Sequence, residues 1–209
     1  MTVSDQDGSF DPVSAAGLLQ AATQQARRSM EVRTPLLYAG WGLAWLVGPG
    51  AMWLSVRDQH PYRGPSEAST AVMAGLIGVA LAVTAVVVIR ATRGVEGGSQ
   101  TQGRMFGATW SVGFGALFAL QAALARLGAS DEVAGLVGAA GPLLVTGLIY
   151  MASAGIWIDR PMFVTGTWLV LVVAVGAWTG PVTLLLVEAI GAGGGFLLLA
   201  GYLARPDRR

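Results

Sequence analysis

A single acidic side chain, Glu188, lies well inside an apolar stretch of this sequence. The stretch runs from Pro181 to Leu203, PVTLLLVEAIGAGGGFLLLAGYL, and it is long enough to cross a bilayer. A carboxylate in hydrocarbon is costly unless it is protonated, paired or hydrated, and intramembrane carboxylates commonly mark ion or substrate pathways. Glu188 is therefore a candidate site for a proton, a cation or a cationic substrate.

Five small residues follow Glu188, from Gly191 to Gly195. Such a run allows a backbone or an ion to approach closely, which makes Gly191 and Gly193 candidate site residues. The same spacing is an ordinary helix-packing pattern in membranes. The alternatives are packing within the chain, against the first or fourth apolar span, and self-association into a homo-oligomer.

Two further apolar spans carry helix-breaking residues, Gly48-Pro49-Gly50 and Gly141-Pro142. Counted at about 1.5 Å per residue, Pro49, Pro142 and Glu188 lie roughly 8 to 14 Å below one membrane surface, and Gln121 lies at a similar depth. Transporters place interrupted helices at substrate and ion sites. The pattern predicts a polar cavity at this level, and the alternative is that the prolines and glycines are packing kinks.

Glu188 also has two structural interpretations. The carboxylate could pair with Arg126, near the end of the third span, or it could be protonated and hydrogen-bonded to Gln121. In either case the residue would stabilise the fold without binding a ligand.

Composition indicates an all-α, polytopic membrane protein. The 209 residues are 54% hydrophobic and only 12% charged. A net charge of +1 gives no basic surface for nucleic acid. The chain has no cysteine and one histidine, His60, so thiolate and histidine-rich metal sites are not expected. No catalytic motif is recognisable, and we expect neither an enzyme nor a cofactor.

The expected layout is a series of elements that places Glu188 in the last of six spans. Residues 1–10 are polar and predicted to be disordered, 11–33 form an amphipathic interfacial helix, 34–204 form the transmembrane bundle, and 205–209 form a tail. The predicted spans are 34–56, 69–90, 105–126, 133–156, 161–178 and 181–203.

Arginine placement predicts the orientation. Of the thirteen basic residues, all of them arginine, only Arg57, Arg63 and Arg126 fall in the loops after odd-numbered spans. Because basic residues favour the cytoplasmic side, both termini are expected in the cytoplasm, in the plasma membrane, with anionic lipid headgroups as partners.

An interfacial helix followed by six spans resembles the membrane subunits of some ATP-driven exporters, in layout alone. Those subunits typically have a substantial outer segment between the last two helices, whereas here only Thr179-Gly180 separates them. The resemblance implies an ATPase partner, which residues 90–104 would have to contact. We therefore expect a transport component, either an exporter subunit or a small carrier. The alternative is a non-transporting sensor, anchor or accessory subunit.

Overall fold

The computed structural model describes Gly17, residues 34–91 and residues 98–205, and within these ranges every regular element is a helix. The predicted disordered segment 1–10 lies outside the described residues. So do the interfacial helix predicted at 11–33, except for Gly17, and residues 206–209 of the predicted tail.

The helices follow the predicted spans closely. We number them α1 (Thr34–Val56), α2 (Glu67–Ala91), α3 (Gly98–Arg126), α4 (Asp131–Trp157) and α5 (Arg160–Ala177), and the sixth span consists of α6 (Gly180–Glu188), a π-helical segment (Ala189–Gly193) and α7 (Gly194–Leu203). The largest difference is at α3, which begins at Gly98 instead of 105. Hydropathy marks only the apolar part of that helix, and its first two turns are polar.

Five membrane-spanning candidates are present in the described part of the chain: α2, α3, α4, α5 and the sixth span. Each is long and apolar enough to cross a bilayer, which indicates a multi-pass membrane protein. The predicted first span, α1, is a helix of 23 residues but is not among the five. Its tryptophans, Tyr38, glycines and Pro49 are dispersed among its aliphatic residues.

The centre of the bundle is formed by α1, α4, α5 and the sixth span, whereas α2 packs mainly against α1 and α3 packs mainly against α4. The largest group of buried side chains joins all four central elements, with Trp45 from α1, Leu143 from α4, Leu169 from α5 and Phe196 from α7. Glu188 belongs to this central part of the protein.

The sixth span runs antiparallel to α1 at very short range. A Cβ atom at Gly42 would lie 3.0 Å from the Leu197 nitrogen, and one at Gly193 would lie 2.6 Å from the Leu46 nitrogen. Small residues permit this approach of two helix backbones. The register brings the middle of α1 to the level of the π-helical segment.

Of the two interpretations of the prolines, broken helices or packing kinks, the structure shows no break. Pro49 and Pro142 both lie inside continuous helices, α1 and α4. Proline removes one intrahelical hydrogen bond, but packed membrane helices tolerate that loss. Among the three segments with breaking signals, only the sixth span changes its helical winding, at Ala189–Gly193.

A tight turn joins the fifth and sixth spans. The Thr179 amide donates to the Gly176 carbonyl at 3.0 Å, and Gly180 adopts a left-handed backbone with φ of 82°. Glycine takes this conformation without steric cost. The turn places α6 directly against α5, where Gly176 meets Leu184.

Candidate functional site

The Glu188 carboxyl is buried in the centre of the bundle. Its residue is 1% exposed, and Oε1 has no hydrogen-bond partner among the described residues. Buried polar groups are nearly always hydrogen-bonded, because an unpaired one costs about 1–3 kcal/mol. An unpaired buried carboxyl oxygen is therefore an unusual feature of the bundle.

Two clusters of buried side chains fix the position of Glu188 along the sixth span. Leu185, three residues earlier, packs with Val56 of α1, and Ala192, four residues later, packs with Trp45 of α1 and Leu143 of α4. Residues three and four apart share a helix face. Glu188 therefore lies between the two clusters, on the face that is turned towards the centre.

The helix changes its winding immediately after Glu188. Residues Ala189–Gly193 form a π-helical turn, and Trp168 of α5 donates its indole N–H to the Gly191 carbonyl at 2.8 Å. Such π-helical turns occur frequently at functional sites. This one provides backbone carbonyls whose hydrogen bonding differs from that of an α-helix, next to the buried carboxyl.

The proline of α1 lies at the same level as Glu188. A Cβ atom at Gly50 would be 3.9 Å from the Cβ of Ala189, and Pro49 is fully buried beside it. Because proline has no amide hydrogen, the carbonyl of Trp45 loses its usual donor within the helix. The structure thus brings together Gly48-Pro49-Gly50 and the segment that begins at Glu188. Gly48 itself packs against Met73 of α2.

The remaining predicted site residues occupy other positions. Gln121 lies against Gly138 of α4, where a Cβ atom would be 4.0 Å from its Oε1. Arg126 is exposed at the end of α3. Among the described residues, no ion pair joins Arg126 to Glu188 and no hydrogen bond joins Gln121 to Glu188.

Pro142 immediately precedes the buried Leu143, and the Pro142 carbonyl accepts a hydrogen bond from Thr146 Oγ1 at 2.8 Å.

The glycines of the sixth span pack within the chain. Gly191 contacts Val172 of α5, Gly193 contacts the backbone at Leu46, and Gly195 contacts the indole of Trp168. Packing against the first span, one of the sequence-based alternatives, is therefore observed, and packing against the fifth is added. Gly194 faces open space.

Trp168 and Tyr62 also make contacts near the site, and the sequence does not predict those contacts. Tyr62 is 8% exposed although it belongs to the loop between α1 and α2. A lone aromatic in an otherwise polar loop is the sequence signal that could have indicated it. The sequence places Trp168 well inside the fifth span, but it does not specify the partner of its indole on another helix.

Comparisons with known proteins do not assign this arrangement to a family. No protein-family model, curated protein or solved structure matches the chain. Chemically, the site offers one carboxyl that can bind and release a proton or a cation, with backbone carbonyls as the neighbouring polar groups.

Proposed function

We propose that the protein is a membrane transport component, of the small-carrier type, in which the Glu188 carboxyl binds the proton or cation that is transported or coupled to transport. The observation that carries this proposal is the buried Oε1 atom without a hydrogen-bond partner among the described residues. A carboxyl that only stabilised the fold would gain by pairing, because an unpaired one costs free energy.

The neighbourhood of Glu188 supports the proposal further. Membrane carriers bind ions near the middle of the bilayer, where irregular helix segments expose backbone carbonyls. Here the π-helical turn follows Glu188 directly, and Pro49 lies opposite on α1. Both features supply acceptors that a bound cation or a protonated carboxyl could use.

The proposed topology has six spans with both termini in the cytoplasm of the plasma membrane. α1 is included because it runs antiparallel to the sixth span, from Gly42 beside Leu197 to Gly50 beside Ala189. This contact supports a position of α1 at membrane depth. The arginine distribution then places the α1–α2 loop outside and anionic lipid headgroups near the inner arginines.

The test is charge displacement in proteoliposomes adsorbed on a solid-supported membrane. Jumps in pH, Na⁺ or K⁺ should give a transient current in the unaltered protein, and Glu188→Gln should abolish it. Glu67→Gln is the matched control, since Glu67 is exposed in the first turn of α2, and it should retain the current. Equal currents in the unaltered protein and Glu188→Gln would overturn the proposed role.

The second candidate function is that of an accessory subunit, and the structure offers one specific reason to consider it. α2 and α3 each pack mainly against one helix of the chain and leave most of their side chains exposed. A partner membrane helix could cover these faces. Purification from native membranes tests this: a stoichiometric membrane protein or ATPase would favour a subunit, and the chain alone would favour the carrier.

A further inference from the structure

The loop that joins α1 and α2 folds back over one end of the bundle. Its neighbours in sequence, Pro61 and Arg63, are exposed, whereas Tyr62 is only 8% exposed. A large aromatic side chain gains hydrophobic free energy when it is removed from water. Tyr62 therefore points inwards, and the loop carries it into the space between the helices.

Tyr62 lies against residues of three helices at the loop end of the bundle. It packs against Val56 at the end of α1 and Leu185 of α6, which are 0% and 3% exposed. On the third side, its ring and hydroxyl lie against Gly135 of α4, where a Cβ atom would be 2.6 Å from Tyr62 Cε1. The ring thus fills the gap between α1, α4 and α6.

Hydrogen bonds hold the loop in this position. The Gln59 side-chain amide donates to the carbonyls of Ser55 and Gly64, both at 3.0 Å, and its Oε1 accepts from the Arg63 amide at 2.9 Å. The Ser66 amide donates to Ser55 Oγ at 3.2 Å. The two sides of the loop are therefore tied together around Tyr62.

Burial, and then the negative charge of Asp131 at the start of α4, raises the pKa of Tyr62 above its ordinary value. The phenol of Tyr62 accordingly remains neutral while the ring is buried between the helices. Its charge state does not force the loop open at physiological pH.

The position of Leu185 connects this loop with the candidate site. Leu185 precedes Glu188 by three residues, which is about 4.5 Å along a helix. Tyr62 belongs to the same buried cluster as Leu185, and Glu188 lies one helical turn further along the sixth span. The Tyr62 ring is thus between the Glu188 carboxyl and the loop end of the bundle.

We propose that Tyr62 is the outer plug of the Glu188 site, and that ions reach the carboxyl from the outer side only when the ring leaves its seat on Val56, Leu185 and Gly135. This inference rests on the proposed function, since it assumes that Glu188 exchanges an ion with the outer solution. It adds the route of that exchange and the residue that controls it.

Carbodiimide labelling tests the plug. A charged, water-soluble carbodiimide is added to the outside of right-side-out vesicles, and mass spectrometry compares the modification of Glu188 with that of the exposed Asp131. We expect slow modification of Glu188 in the unaltered protein. Tyr62→Ala should accelerate it at least tenfold relative to Asp131, whereas Tyr62→Phe, which keeps the ring, should leave it slow.

A second variant tests the contact of the Tyr62 ring with α4 without altering the loop. Gly135→Ala places a Cβ atom where the Tyr62 ring lies, and it should also accelerate modification of Glu188. Gly155→Ala is the matched control, in the same helix but with no atom within 4 Å of the added carbon, and it should behave like the unaltered protein. If Gly135→Ala labels no faster than Gly155→Ala, the plug is overturned.

The two proposals fail separately. Rapid modification of Glu188 in the unaltered protein would overturn the plug, but it would not contradict ion binding at Glu188. Accelerated labelling in Tyr62→Ala and Gly135→Ala, together with absent currents on solid-supported membranes, would support the plug as a barrier and overturn ion binding at Glu188.

Discussion

Trp168 supports the π-helical turn from a neighbouring helix. Its indole N–H donates to the Gly191 carbonyl at 2.8 Å. One hydrogen bond of this kind contributes about 1 kcal/mol to stability. Trp168→Phe retains most of the apolar contact but loses the donor, so we expect the free energy of unfolding in mild detergent to fall by about 1 kcal/mol. Thermal unfolding followed by circular dichroism measures the change.

Trp178→Phe is the control for that substitution. Trp178 is the C-cap residue after α5 and is 93% exposed, so its replacement should change stability by less than about 0.5 kcal/mol. Equal losses in the two variants would show that the bond to Gly191 adds nothing to stability.

At the scale of single residues, the sequence identifies the unusual group but not its surroundings. Glu188 stands out because its charge lies in an apolar span, and desolvation makes such a position informative in any fold. Its expected structural partners, Arg126 and Gln121, do not pair with it. Tyr62 and Trp168, which lie close to the site, come from a loop and another helix. Contacts of this kind depend on tertiary packing, which periodicity does not encode.

The contact between α1 and the sixth span determines the geometry of the site at the scale of elements. Gly193→Ala would bring a Cβ atom to 2.6 Å from the Leu46 nitrogen and 2.7 Å from its Cα, both backbone atoms. Backbone cannot move aside as a side chain can, and overpacking typically costs about 1–3 kcal/mol. We expect Gly193→Ala to lower the unfolding temperature in mild detergent, as measured by a thermal-shift assay.

The adjacent glycine provides the comparison. Gly194 has no neighbouring atom within 4 Å of an added Cβ, and alanine is the better helix former, so Gly194→Ala should be neutral or slightly stabilising. If Gly193→Ala instead leaves stability unchanged but alters the oligomer mass in detergent, Gly193 belongs to an interface between copies and not to the contact with α1.

Helix positions could be predicted and helix irregularities could not. The end of α3 at Arg126 and the end of the sixth span at Leu203 were predicted to the residue, because hydropathy reports the length of an apolar segment. The prolines did not decide between a break and a packed kink, and Pro49 lies in an uninterrupted helix. The π-helical turn depends on how the glycines meet α1 and α5, and a breaking signal in the sequence does not specify that winding.

At the scale of the whole molecule, burial is concentrated in one part of the bundle. α2 and α3 have little buried surface, whereas α4, α5 and the sixth span are substantially buried, together with much of α1. The loop bearing Tyr62 closes one end of this central group. An arrangement of this kind keeps the candidate site in the protein interior and leaves the flanking helices with large exposed faces.

Labelling of single introduced cysteines tests whether α1 crosses the membrane. The chain has no cysteine, so single cysteines can be introduced without a background. His60→Cys in the α1–α2 loop and Leu127→Cys after α3 should react with an impermeant maleimide in intact cells. Ile158→Cys after α4 and Gly17→Cys should react only after permeabilisation.

The decisive comparison is between Gly17 and His60, which lie on the two sides of α1. His60, Leu127 and Ile158 report on α2, α3 and α4, which are apolar enough to span by themselves. Gly17 reports on α1, whose place in the membrane is argued from its close antiparallel contact with the sixth span. If Gly17→Cys reacts from the same side as His60→Cys, α1 does not cross the membrane and the six-span topology is overturned.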